Sequence, residues 1–252
     1  TWLSAGSFRS FPPFSSFPNV RAMDEVDGCP SLHDFLTHHV LGLRPVVMRG
    51  CGADMPALEL WSNSYLTAAA SDWFGNKEWL ERGIDLGRFL ELTRTPGVAT
   101  ELPYLPFNDV PYALRKHLRL PAPLRCSALI KAGFINNIHL RLTHGAYIKN
   151  GLHFDGTCGL SMQIDGTKRW ALVDPRHSLN LYSDHVYPAG GTRMGYTPFD
   201  HIDEAAGGLE RLREVQVLTA EVRRGDVLYI PKRWWHEIEN LPGRNIAALL
   251  NV

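Results

Sequence analysis

His153 and Asp155 flank Phe154 in Leu152-His-Phe-Asp155, at the end of a run with β-strand character. Side chains alternate along a strand, so an imidazole and a carboxylate two residues apart project to the same side. Such a pair can grip a metal ion or pass a proton. Spacing alone carries little weight, because His201-Ile-Asp203 repeats it within Phe199-Asp-His-Ile-Asp-Glu-Ala205, an acidic stretch expected to start a helix, where residues i and i+2 diverge. The first copy stands apart through a third residue, His236, which ends Gly225-Asp-Val-Leu-Tyr-Ile-Pro-Lys-Arg-Trp-Trp-His236 after a β run and a proline turn. Two strands of one barrel can bring it to the pair. Two imidazoles and one carboxylate on one side of a metal leave the opposite positions open, the facial arrangement of non-heme ferrous sites, whereas an all-His or Cys-rich set favours zinc.

The elements that must position these residues fall into three stretches. Residues 1–20 form an expected extended arm, with a Phe every three or four positions among Ser and Pro, residues that do not continue a helix or a central strand. From 30 to 125 the signals are helical: Ser31 is placed to cap Leu32, Phe35 and Leu36, and 58–70, 85–93 and 111–119 repeat apolar residues at helical spacing, interrupted by extended pieces such as Pro45-Val-Val-Met-Arg49. Residues 126–252 change to short β runs at 128–130, 138–142, 146–154, 160–164, 169–173, 215–222, 227–230 and 246–252. These predict a barrel or jelly roll beneath a helical N-terminal layer, in a single domain covering 1–252. Asp165-Gly166 between two β runs predicts a hairpin, and Arg224-Gly225-Asp226 a second turn. The Gly-rich, then acidic segment 185–214 reads as an insertion able to sit over a pocket mouth.

Composition sets outer bounds. The chain has 252 residues, 44% hydrophobic and 21% charged, with 26 Lys+Arg against 26 Asp+Glu. That is an ordinary globular profile, and neither half carries the basic excess that steers nucleic-acid binding. Four cysteines without a CxxC pair make a reducing compartment the simpler assumption, one disulfide remaining compatible. No apolar run approaches the roughly 18 residues of a membrane helix, and the start at Thr1 suggests a trimmed or processed end. An intracellular protein, cytoplasmic or nuclear, is expected.

The ordered set of motifs resembles the JmjC and cupin-like Fe(II)/2-oxoglutarate dioxygenases, in particular the small hydroxylase branch that includes the asparaginyl hydroxylase of the hypoxia response. The likeness runs through Ser31-Leu-His-Asp-Phe35, Arg44-Pro-Val-Val-Met-Arg-Gly50 and Trp61-Ser-Asn-Ser-Tyr-Leu66. It continues in Leu152-His-Phe-Asp155, Gln163-Ile-Asp-Gly-Thr-Lys-Arg-Trp170, Pro175 and Leu181-Tyr182, and closes with Gly225-Asp-Val-Leu-Tyr-Ile-Pro231 and Trp234-Trp-His-Glu-Ile238. The resemblance implies a mainly β fold with a double-stranded β-helix (jelly-roll or cupin) core, that His153, Asp155 and His236 ligate Fe(II), and that Lys168 holds the distal carboxylate of 2-oxoglutarate. Chemistry agrees, since a dianion inside a barrel needs a cation at its far end. Arg169 should then face the other way.

The resemblance also implies cosubstrate contacts for Asn251 on the last strand and for Tyr104, with Tyr147 as competitor. Trp234 and Trp235 are expected in the core, with lining of the site as the alternative. Three positions depart from the pattern. Asn150 stands where relatives place Thr or Ser, still within hydrogen-bonding chemistry for 2-oxoglutarate, and Gly159 stands where many have Asn. Beside it, Cys158 is expected to be a small core residue, with a thiol near iron as the alternative. The end at Val252, short of the aromatics and helices that relatives use to dimerise, points to a monomer. The implied activity is hydroxylation of a protein or peptide side chain with Fe(II), 2-oxoglutarate and O2, releasing succinate and CO2. The rival readings are a JmjC lysine demethylase, and a cupin metal enzyme or binding module that does not use 2-oxoglutarate.

Overall fold

A computed structural model of the chain describes residues 17–74, 77–93, 104–107, 109–126, 137–143, 148–181, 195–196 and 210–251, with the backbone alone at 77–78, 104–107, 137, 148–151 and 195–196. The arm before Phe17, the run 128–130, Tyr147, the His201/Asp203 copy and most of the 185–214 insertion lie outside the described residues.

The strands are β1 (Asn19–Ala22), β2 (Glu25–Asp27), β3 (Val46–Arg49), β4 (Tyr104–Phe107), β5 (Asn137–Thr143), β6 (Ile148–Phe154), β7 (Gly159–Asp165), β8 (Thr167–Val173), β9 (Gly195–Tyr196), β10 (Gln216–Arg223), β11 (Val227–Ile230), β12 (Trp235–Asn240) and β13 (Asn245–Asn251). Sheet A runs β1-β10-β8-β12-β6-β9 and sheet B runs β2-β3-β11-β7-β13-β5-β4. Strands β5 to β8 alternate between the sheets, and so do β10 to β13. That winding is the expected jelly-roll sandwich.

It also corrects the hairpin reading of Asp165-Gly166. The turn is present, with Gly166 at φ +70°, but β7 pairs with β11 and β13 while β8 pairs with β10 and β12. The glycine turns a corner from one sheet to the other, pressed so closely on the β12–β13 connection that a Cβ would lie 2.3 Å from the Arg244 carbonyl oxygen. Turn chemistry specifies a reversal and leaves the partner strand open.

Sheet B buries its outer face. Leu160, Met162, Ile164, Tyr229, Ala248 and Leu250 share one apolar cluster with Phe35, Leu66, Phe89 and Leu114 from the short helices α1 (Leu32–Asp34, continuing as a π-helical turn Phe35–Val40), α2 (Ala57–Leu60), α3 (Asn63–Ala70), α4 (Lys77–Glu81), α5 (Leu86–Leu92) and α6 (Tyr112–Arg115). Each fully buried side chain of that size contributes roughly 1.5–3 kcal/mol. Ser31 caps as expected, accepting from the Asp34 amide at 3.1 Å. The helices are shorter than the apolar spacing suggests: 58–70 breaks at Ser62, which turns extended and caps the Tyr65 amide, and 111–119 shrinks to 112–115. The stretch 30–125 also supplies β3 and β4 to sheet B, so it is mixed rather than a continuous helical layer. Cys29 and Cys51 are bridged by a disulfide, which removes the cysteine count as grounds for a reducing compartment. Among the described residues no helix is long and apolar enough to cross a membrane.

A second cluster fills the space between the sheets, with Trp170, Leu172 and Val222 from sheet A meeting Val47, Leu228 and Ile230 from sheet B. This interior is where the candidate site lies.

Candidate metal centre

Strands β6 and β12 are neighbours in sheet A, and His153 sits directly opposite His236 in their register. Both rings therefore emerge on one face, their centroids 4.3 Å apart. On the far side of this pair β6 carries one extra residue, three steps from His153 to Asn150 against two from His236 to Ile238. This is a β-bulge, a device that re-aims side chains at a sheet edge or site.

Asp155 follows the end of β6, and its carboxylate lies 3.7 Å from His236 Nε2. Its carbonyl accepts from the Arg233 amide at 2.9 Å, tying the two site-bearing segments together just before β12. Arg233 pays for this turn with φ +65°, a left-handed conformation that costs a non-glycine residue about 1–2 kcal/mol. The ligand atoms of His153, Asp155 and His236 all lie within 4.8 Å of one another, the group among the described residues with the makings of a metal site.

His236 Nδ1 is 3.0 Å from the Trp234 carbonyl oxygen, so Nδ1–H donates there and Nε2 presents its lone pair toward Asp155. Burial first, and then the neighbouring His153, hold the His236 imidazole down to about 4, so it is neutral and ligand-ready at physiological pH. The donor set suits a ferrous ion: two neutral imidazoles, one carboxylate, and an outer carbonyl orienting one ring.

Lys168 lies on β8, next to β12, four residues before Leu172, the partner of His236. At a strand rise of about 3.4 Å this sets the two backbones some 14 Å apart along the sheet. The ammonium is buried, and among the described residues no carboxylate, carbonyl or hydroxyl takes it. Burial, followed by the charge of Arg141, pushes it down to about 7. A buried cation lacking a counter-charge fits an anionic ligand. Arg169 faces outward as expected, pairing with Glu221 at 3.0 Å and Glu239 at 3.5 Å.

The remaining expected residues fall out differently. Asn251 ends β13 opposite Gly159, with its Nδ2 2.8 Å from His139 Nε2. Asn150 pairs with Ile238 and Tyr104 with Thr143 in the backbone register, and their side chains are outside the described atoms. Trp234 joins the cluster between the sheets, and Trp235 packs on the other face of sheet A with its Nε1–H donating to Ser178 Oγ at 2.9 Å, so both are core residues. Cys158 is also a core residue: it packs on the helix-side cluster and accepts from the Tyr229 hydroxyl at 3.4 Å.

Sequence reasoning passed over Trp170. Its ring centroid is 5.9 Å from that of His236, on the same face of β8 as Lys168, and its buried Nε1–H has no hydrogen-bond partner among the described residues. The alternation Lys168, Trp170, Leu172 was the signal that marked it.

A family model described as "Cupin-like domain" matches residues 100–251, a span that runs from β4 to β13 and contains the whole cluster. Among curated proteins, the chain is 25% identical over 232 residues to "Lysine-specific demethylase JMJ30" of Arabidopsis thaliana, covering 84% of this chain and 50% of that protein. It is 25% identical over 229 residues to "Jumonji C domain-containing protein 5" of Drosophila melanogaster, covering 84% and 55%. A shorter match, 30% over 90 residues, links it to "HSPB1-associated protein 1 homolog" of Danio rerio, covering 33% and 18%. The chain thus spans about half the length of the curated relatives it matches along most of its own sequence. With three fifths of its length inside the family model and its jelly roll wound around the matched segment, the chain belongs to the JmjC and cupin-like domain family.

Proposed function

We propose that this chain is an Fe(II)- and 2-oxoglutarate-dependent oxygenase that hydroxylates a protein side chain. The observation that carries the reading is the His153, Asp155 and His236 cluster facing the same barrel interior as Lys168, a buried cation with no counter-charge among the described residues. The relatives' names, which include a lysine-specific demethylase and a Jumonji C domain-containing protein, support the same family of chemistry.

In this reading His153, Asp155 and His236 would hold Fe(II), which when bound would supply oxygen activation coupled to oxidative decarboxylation of 2-oxoglutarate. The balance is one O2, one keto acid and one substrate C–H giving one C–OH, succinate and CO2. The chain's own work is positional. The Trp234 carbonyl, by accepting from His236 Nδ1–H, keeps Nε2 aimed at the ion and raises its basicity. The apolar cluster between the sheets excludes water from the reacting centre. Lys168 would take the distal carboxylate, and the Trp170 Nε1–H, without a partner among the described residues, offers a further donor on the same face. Asn150, Asn251 and Tyr104 remain candidates for further cosubstrate contacts.

A second reading, demethylation, is favoured by the names of relatives such as "Lysine-specific demethylase JMJ30" and "Arginine-specific demethylase JMJ22". It uses the same residues, because hydroxylation of an N-methyl group releases formaldehyde. Anaerobic reconstitution with Fe(II), followed by 2-oxoglutarate, should give a visible charge-transfer band, and admitting air should release succinate. Absence of both in the metal-loaded protein sinks the oxygenase reading in favour of a non-oxidative cupin or a binding module. Peptide arrays then separate the two reactions: gain of one oxygen on the peptide marks hydroxylation, and formaldehyde marks demethylation.

A further inference from the structure

The turn that leads into β12 is both strained and cationic. The Pro231 carbonyl accepts from the Trp234 amide at 3.2 Å, which puts Lys232 and Arg233 at the two central positions of the turn. Arg233 has φ +65°, whereas Lys232 keeps a negative φ. A turn with positive φ at its second central residue favours glycine there, because a side chain is strained in that conformation. This chain has arginine instead. Glycine would make the same amide bond to the Asp155 carbonyl, so the backbone gives no reason for the side chain. Strain kept beside a site points to a task for the strained residue.

Position and charge indicate the task. The Asp155 side chain is 32% exposed against 4% for His236, so the metal cluster opens to solvent on the Asp155 side. The turn stands at that opening, with the Arg233 amide 2.9 Å from the Asp155 carbonyl oxygen. Lys232 and Arg233 are both exposed. Exposed arginines elsewhere are neutralised, Arg125 by Asp54, Arg169 by Glu221 and Arg224 by Glu59. Among the described residues no carboxylate pairs with Lys232 or Arg233. The nearby Asp155 carboxylate is turned to His236, at 3.7 Å.

Two unneutralised cations at the mouth of a site attract a negatively charged part of whatever enters it, and the guanidinium fork matches both oxygens of a carboxylate. A nucleic acid would need a basic tract along its phosphate backbone, and 26 Lys+Arg against 26 Asp+Glu leave the chain without an excess to build one. One or two carboxylates on a peptide suit the pair.

We propose that Lys232 and Arg233 select protein substrates carrying Asp or Glu close to the residue that is oxidised, by pairing with those carboxylates at the mouth of the site. This rests on the oxygenase reading above and adds to it the charge of the substrate.

The test uses fluorescein-labelled peptides of equal length, one rich in Glu, one with Gln in place of each Glu and one with Lys, beside a single-stranded RNA. Each is titrated with the metal-free full chain while fluorescence anisotropy is followed. The Glu peptide should bind most tightly and weaken as salt is raised. R233G removes the guanidinium and relieves the backbone, so it should not lower the unfolding midpoint. It should weaken the Glu peptide by about 3- to 5-fold, the effect of one exposed ion pair, and leave the Gln peptide unchanged. K232Q should act in the same direction away from the strained position. Glu and Gln peptides bound alike by the wild type, tighter binding of the RNA, or R233G binding the Glu peptide as the wild type does would each overturn the proposal. Parallel loss of both peptides in R233G overturns it too, since that marks a structural role. The charge-transfer band with Fe(II) and 2-oxoglutarate is read separately on the wild type. Its absence beside intact Glu selectivity defeats the oxygenase reading, and with it the claim that the bound acid belongs to a substrate.

Discussion

The outer face of sheet B and the inner face of sheet A are both buried, yet they are built from opposite chemistry. On sheet B, Leu160, Met162, Ile164, Ala248 and Leu250 meet helix side chains in a continuous apolar cluster. On sheet A, buried His236, Asn240 and Lys168 interrupt the apolar surface around Trp170 and Leu172. The first face gains stability from burial, and the second gives some up to place charge and donors where water is excluded. A site that is costly to bury points to a ligand that offsets the cost.

Substitutions on the two faces should therefore separate activity from stability. The largest effect is expected from His153→Ala, which should abolish ferrous binding and succinate release while changing the unfolding free energy by less than about 1 kcal/mol. Metal titration and denaturant unfolding check the two halves, and a collapse in stability breaks the comparison. Phe89→Ala, on the helix side, should do the reverse. It should cost about 3–5 kcal/mol in unfolding, with the ferrous affinity of the folded fraction unchanged.

A subtler contrast comes from pH. Folding lowers Lys168 from 10.5 to about 7, so between those values the unfolded chain binds the extra proton. Its contribution to stability is therefore complete above 10.5 and is lost as pH falls toward 7. Unfolding midpoints across that window should rise with pH in the wild type, and Lys168→Met should flatten the rise. The same variant should raise the 2-oxoglutarate requirement strongly while retaining metal. The smallest effect is expected at the outer face of sheet A. Arg169→Ala removes exposed ion pairs to Glu221 and Glu239 and should cost under about 1 kcal/mol, with metal and cosubstrate binding untouched.

Strands dominated by β-branched and apolar residues, such as Val227–Ile230 and the run ending at Asn251, were legible from composition. The strand that carries His236 was not, because in Trp-His-Glu-Ile-Glu-Asn the polar His236, Glu237 and Asn240 occupy buried positions where a strand pattern expects apolar side chains.

Local chemistry in the sequence was enough to nominate His153, Asp155 and His236, because ligand type, strand alternation and turn residues are properties of short segments and of their order, while Lys168 came in through the family resemblance. Which strands pair was decided by the tertiary structure alone. Asp165-Gly166 specifies a reversal equally well for a hairpin and for a corner between sheets, and only burial of both sheet faces chooses the corner. That choice places β8 beside β12, and so brings Lys168 onto the same face of the same sheet as His236.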